Sequence, residues 1–335
     1  MFTTTLGEAA QFASRRFVRI ALLPGLVFCL LLAGVACIAG ERTPGAVLRA
    51  WKTQPVESKT LLVMAFLITV LLVATFVDAA QSALLRCAEG YWGRRADQSL
   101  GWLGRRCHRL RLLETADGAA QLLYPPRSRL HEVMPTRLGN ILKAAELYPQ
   151  MRYGIDAVLV WPRLFHLLPG QLLATLVTAR AELSALLVRT TLSCAFAVLG
   201  AAWVAAQGGS ATLLLGCLWG GALLAWACYR GALNAAVVYG QHVRVAFDLH
   251  RADLLEALGE ESLPGPEVER ERWRRICLFW HRGIPTHHEN PPAQSPGTAA
   301  PDVPGMQRGF AFSLTQVAVA AVVVAGLGGA LPQCV

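Results

Sequence analysis

The run Leu61-Leu-Val-Met-Ala-Phe-Leu-Ile-Thr-Val-Leu-Leu-Val-Ala-Thr-Phe-Val-Asp-Ala-Ala80 decides the class of this protein. Asp78 is its single ionisable group. Twenty helical residues at about 1.5 Å each cross the roughly 30 Å hydrocarbon core of a bilayer. Similar runs extend from Ile20 to Ala39, Val188 to Ala206, Ala211 to Tyr229 and Ala311 to Leu331. The whole composition agrees with these runs. Of the 335 residues, 54% are hydrophobic and 16% charged, and the mean hydropathy is +0.41. An average soluble domain carries about a quarter charged residues. The sequence therefore predicts an all-α membrane protein of about five transmembrane helices.

The net charge of +9 is first a topology signal. Arg15, Arg16 and Arg19 precede the first span, while Arg42, Arg49, Lys52 and Lys59 lie between the first two, so that hairpin alone is ambiguous. The stretch after Ala80 decides it, with Arg86, Arg94, Arg95, Arg105, Arg106, Arg109 and Arg111. Positive charge close to a span is retained in the cytoplasm. The uncharged link Gln207-Gly-Gly-Ser210 suits an outside turn. These features predict a multi-pass protein of the cell membrane with its N terminus cytoplasmic and its C terminus outside. The first span reads as an uncleaved anchor, because its 19-residue approach is long for a signal peptide. The arginine-rich face also predicts the anionic inner leaflet as a partner.

The chain divides as 1–19, a basic amphipathic segment; 20–80, a transmembrane hairpin; 81–187, a cytoplasmic helical domain; 188–229, a second hairpin; 230–289, a cytoplasmic helical segment; 290–310, a flexible linker rich in proline; and 311–335, a C-terminal transmembrane helix. Two spans, the second and the fourth, are expected to extend into the cytoplasmic region. Asp78, Ser82 and Arg86 continue the second span as a polar stripe. Arg230, Asn234, Gln241, Arg244, Asp248 and Arg251 do the same for the fourth, until Gly259 stops the helix. Leu100 to Leu113 mixes Trp102 and leucines with arginines, and suits either the surface of an anionic leaflet or a basic helix in water.

The densest block is Pro135 to Gly170. Thr136 caps a helix expected to end near Tyr148, because Pro149 disfavours helix at its predecessor. Asp156 to Trp161 is a short buried strand or helix, and Gln171 to Leu187 a helix feeding the third span. The stretch LGNILKAAELYPQMRYGIDAVLVWPRL, 138–164, resembles a pattern in uncharacterised multi-pass membrane proteins of high-GC Gram-positive, actinobacterial type, as does Tyr229 to Arg251. The resemblance covers about a third of the chain. It implies helical membrane class and bacterial source, and brings no activity. The source fits the arginine bias, since only Lys52, Lys59 and Lys143 are lysines.

Chemical motifs are scarce. The sequence has no phosphate-binding loop, HExxH or GxSxG motif, and its nine cysteines form no CxxC pair. His281, His287, His288 and Glu289 cluster at the linker without anything to fix them as metal ligands. No catalytic residue, metal, cofactor or nucleic-acid partner is expected, and an enzyme is the third reading. Binding or gating candidates are Asp78 near the end of a span, Arg152 and Asp156 one helical turn apart as an ion pair, Arg163 beside Trp161, and Arg230 and Arg244 on the polar stripe. Gly216 and Gly220 suit close helix packing, inside the chain or between subunits. The first functional expectation is a homo-oligomeric pore or channel-like protein with that stripe around its vestibule. The alternative is a non-conducting membrane scaffold or sensor whose cytoplasmic block binds a ligand or protein.

Overall fold

The computed structural model describes residues 16–39, 44–93, 96–114, 117–260 and 265–283. All regular structure among them is helical. Among the described residues, four helices are long and apolar enough to cross a membrane: α1 (Val18–Ala39, opening with a π-helical turn), α3 (Val56–Glu89), α8 (Gly170–Ala206) and α9 (Ala211–Ala257). A short α2 (Pro44–Thr53) joins the first two. Between α3 and α8 come α4 (Trp102–Glu114), α5 (Asp117–Leu123), a 3-10 turn, α6 (Arg137–Tyr153) and α7 (Ala157–Leu167). The last described element is α10 (Pro266–Arg282). The expected fifth span at 311–331 and the linker at 290–310 lie outside the described residues.

α8 and α9 form a long antiparallel hairpin, with α1 and α3 laid against α8. The hairpin turn needs Gly208, at φ +65°, and Ser210, whose hydroxyl accepts from the Leu213 N–H. Close approach comes from Gly221 and Gly200. A Cβ on Gly221 would meet the Ala197 Cβ at 2.7 Å, and one on Gly200 would touch the Cys217 side chain. Gly216 and Gly220, the expected packing pair, meet nothing among the described residues. Leu61, Met64, Leu67, Ile68, Leu71 and Leu72 on α3 are also exposed, as lipid-facing side chains would be.

Three helices, rather than two, run past their apolar windows and pack together. Leu85 of α3, Leu183 and Leu187 of α8, and Ala232 and Ala236 of α9 close around Leu138 and Ile141 of α6. Farther along, Leu176, Phe247 and Leu254 meet Ile155, Val160 and Leu164, with the fully buried Trp273 of α10. The described parts of 81–187 and 230–283 thus share two apolar clusters.

The α3–α6 joint shows why the first of these clusters has a fixed shape. The Thr136 hydroxyl accepts from Gly139 N–H at 3.0 Å and donates to the Glu89 carbonyl at 2.8 Å. Gly139 has no Cβ because one would overlap that same carbonyl. Asn140 is wholly buried and ties the chain before α6. Its amide nitrogen donates to the Met134 and Thr136 carbonyls, and its oxygen accepts from the Met134 N–H at 2.8 Å.

α6 does not stop at Tyr148. It carries Pro149 within it and ends at Tyr153, where Gly154, at φ +74°, closes the helix. Pro149 removes one N–H, but the following turn is held by side-chain bonds to α9 described below, which outweigh the local preference. Ala157 to Leu167 is a helix, and Asp156 is its cap, accepting from Val158 N–H at 2.9 Å and Leu159 N–H at 3.4 Å.

Replacing Asn140 by Leu leaves the Met134 carbonyl and N–H unpaired beside the core, while the Thr136 carbonyl keeps the backbone N–H of residue 140. The expected cost is about 2–3 kcal/mol, read as a lower melting temperature of the purified protein. Unchanged melting would mean that water reaches this joint.

Candidate functional site

α9 carries the polar stripe, and its lower half turns toward α6 and α10. The Asp248 carboxylate accepts hydrogen bonds from the Tyr148 hydroxyl at 3.0 Å and the Tyr153 hydroxyl at 2.7 Å. These tyrosines are five residues apart on α6 and meet edge to face, with ring centroids 6.4 Å apart. One turn before Asp248, the Arg244 guanidinium lies over the Tyr148 ring at 5.2 Å and donates to the Gln121 carbonyl at 2.7 Å. Past Asp248, the Arg251 guanidinium lies 4.1 Å over the Tyr153 ring. Arg251 also donates to the Asp248 carbonyl and pairs with Glu269 of α10 at 2.9 Å. α10 is tied in by Arg270, which donates to the Arg152 carbonyl at 2.9 Å.

Gln121, Tyr148, Arg152, Tyr153, Arg244, Arg251, Glu269 and Arg270 help wall an open cleft of about 880 Å³. Its rim is strongly positive: among the described residues Arg127, Arg152, Arg244, Arg251 and Arg270 line it against a single carboxylate, Glu269. Tyr124, Tyr148, Tyr153 and Met151 give it apolar and aromatic surface. The buried Nε of Arg244 has no hydrogen-bond partner among the described residues. Guanidinium forks match carboxylate and phosphate edges and tyrosine faces accept flat groups, so these side chains can engage an oxyanion.

Asp248 also sets the protonation of its neighbours. Burial first, and then the hydrogen bond to Asp248, push the Tyr148 hydroxyl up to about 12, and the same causes raise Tyr153. Both hydroxyls stay protonated at neutral pH and keep donating.

The expected site residues separate. Arg152 and Arg244 reach the cleft. Asp156 does not pair with Arg152: the left-handed Gly154 ends α6 between them, and Asp156 turns to cap α7. Arg163 stacks 3.9 Å over the Trp280 ring and donates to the Leu159 carbonyl, joining α7 to α10. Asp78 is exposed on α3 and accepts from Gln81 at 2.6 Å. Arg230 is exposed on α9, 5.4 Å over the Trp226 ring. Tyr148, Tyr153, Glu269 and Arg270 were not among the expected residues. The one available signal was the stripe itself: an acid at 248 between arginines, which once partly buried needs donors from another element. Among the described residues no group of His, Cys, Asp or Glu could hold a metal ion, while His287, His288 and Glu289 lie outside them.

Tyr148→Phe is expected to cost about 1–2 kcal/mol at neutral pH by removing a bond to a carboxylate. The Tyr148 value is raised on folding, so its contribution is complete below pH 10 and is lost as pH rises toward about 12. Melting curves across that range should fall less steeply for Tyr148→Phe than for the parent protein. Parallel curves would contradict the hydrogen bond. Comparison of the chain with protein-family models, curated proteins and solved structures finds no match.

Proposed function

We propose that the protein is a non-conducting membrane sensor or scaffold whose folded block binds a small multivalent oxyanion in the arginine–tyrosine cleft. The observation that carries this reading is the five-to-one excess of arginines over carboxylates around a cleft of ligand size. Pockets for small molecules run from about 300 to 1,000 Å³. The block is cytoplasmic in this reading, which the arginine-rich stretch after α3 supports through the positive-inside preference. Phosphates and carboxylates of metabolites are the ligands such a cleft would meet there.

The pore reading asks the stripe on α9 to face a lumen shared between subunits. Arg244, Asp248 and Arg251 instead spend their contacts on Tyr148, Tyr153, Gln121 and Glu269 of the same chain. Arg230, Asn234 and Gln241 remain exposed on α9, and a conducting assembly would have to be built from them alone. The cleft has a consequence for signalling. Two of its lining residues, Arg244 and Arg251, sit on the same continuous helix as the fourth apolar stretch, so a ligand that shifts α6 or α10 acts directly on a span.

Binding is tested by melting the purified protein in nanodiscs with pyrophosphate, ATP or citrate. A ligand at a hundred times its dissociation constant stabilises by about 2.7 kcal/mol. The expected result is a saturable rise in melting temperature for at least one of these anions, lost in Arg152→Glu and retained in Arg274→Glu, which lies away from the cleft. No rise with any of them, together with anion conductance in planar bilayers, would favour the pore.

A further inference from the structure

α4 presents two opposite faces. Its inner face is pinned to the protein: a Cβ on Gly104 would meet the Pro135 carbonyl at 2.5 Å, His108 and Tyr124 share a hydrogen bond of 3.2 Å, and Leu112 is buried. Arg109 fixes the rotation by donating to the Leu130 carbonyl at 3.0 Å. On the other side Trp102, Leu103, Leu110 and Leu113 are each more than half exposed. Such a row of large apolar side chains on a helix locked in place has no reason to face water.

Basic groups border this row. A groove of about 290 Å³ along α4 is lined by Trp102, Leu110 and Leu113 together with Arg105, Arg106 and Arg109. Arg105 is held by Asp97 at 2.6 Å, whereas Arg106 is exposed and lies 5.4 Å over the Trp102 ring. Tryptophan, leucine and arginine on one face are what an interfacial helix uses: the apolar side chains enter the boundary of the acyl region and the guanidinium groups meet lipid phosphates. The position fits. α3 leaves its apolar window at Ala80 and ends at Glu89, about 13 Å farther along at the usual helical rise. The Thr136 hydroxyl is bonded to that end, and Gly104 rests on the neighbouring Pro135.

We infer that α4 is a docking helix for the anionic leaflet of the membrane that the chain itself spans, with Trp102, Leu103, Leu110 and Leu113 inserted and Arg106 on the phosphates. It would hold the cleft-bearing block against the bilayer, and it does not depend on the cleft having a ligand.

The test uses full-length protein with its native cysteines changed to serine and a spin label at Leu110→Cys, and separately at Leu103→Cys. The protein is placed in nanodiscs of phosphatidylcholine, with or without phosphatidylglycerol. With phosphatidylglycerol present, the label should become accessible to oxygen and several-fold less accessible to a water-soluble nickel complex. A label at Val268→Cys on α10 should not change. Arg106→Glu should return the α4 label to the nickel complex while leaving the melting temperature unchanged. Equal nickel access in both lipids overturns the proposal, as does shielding that ignores the lipid charge. Spin–spin broadening that disappears on dilution of labelled with unlabelled protein would assign the face to a second copy instead.

Discussion

A helix of 47 residues is about 70 Å long, more than twice the thickness of the hydrocarbon core. α9 must therefore change surface along its length. Its first half can leave Leu215, Trp219, Leu223 and Trp226 exposed, because lipid is their solvent. Its second half carries Arg244, Asp248 and Arg251, and at Asp248 the surrounding chain buries part of a carboxylate. Leaving such a charge without donors would cost several kcal/mol. Two tyrosine hydroxyls, with arginines on either side, meet that requirement.

The bonds to Asp248 organise the elements around it. Tyr148 and Tyr153 lie on either side of Pro149, so the turn that proline should weaken is held by two bonds to α9. Gly154 then reverses the chain, Asp156 starts α7, and α7 fills the apolar side of the same region with Val160 and Leu164. α10 closes the arrangement from outside through Glu269 to Arg251 and Arg270 to the Arg152 carbonyl. Arg244 and Arg251 are matched in number by Asp248 and Glu269. Arg152 and Arg270, exposed along the cleft beyond them, are what an anionic ligand would use.

Much of the fold was legible in the sequence, and the reasons differ by element. The four described spans stand out because lipid imposes long uncharged runs, and the caps at Thr136 and the stop at Gly259 are local chemistry. The stripe on α9 was legible as a stripe, since three-four spacing places its members on one face. Its partner was not. Periodicity says that Arg244 and Asp248 share a side of the helix, but nothing local says whether that side meets water, a second subunit or α6. The same limit applies to Arg152 and Asp156. Their spacing fits an ion pair only if one helix carries both, and Gly154 in the left-handed region separates them. Gly216 and Gly220 matched a packing pattern, whereas the approach of α8 and α9 is made by Gly221 and Gly200, at positions set by the crossing of two helices.

The central claim is that α9 packs its small and polar face on α6 within one chain. A Cβ on Gly240 would lie 3.2 Å from the Ala145 Cβ, about 0.6 Å closer than the roughly 3.8 Å usual for a disulfide, so a small outward shift of the two helices brings the pair to bonding geometry. The direct measurement is oxidation of a Gly240→Cys, Ala145→Cys variant in a background lacking other cysteines, followed by peptide mapping. A high-yield intrachain crosslink between the α6 and α9 peptides is the expected result. Crosslinked dimers, or free thiols at both positions in folded protein, would contradict the arrangement and return the stripe to a surface between subunits.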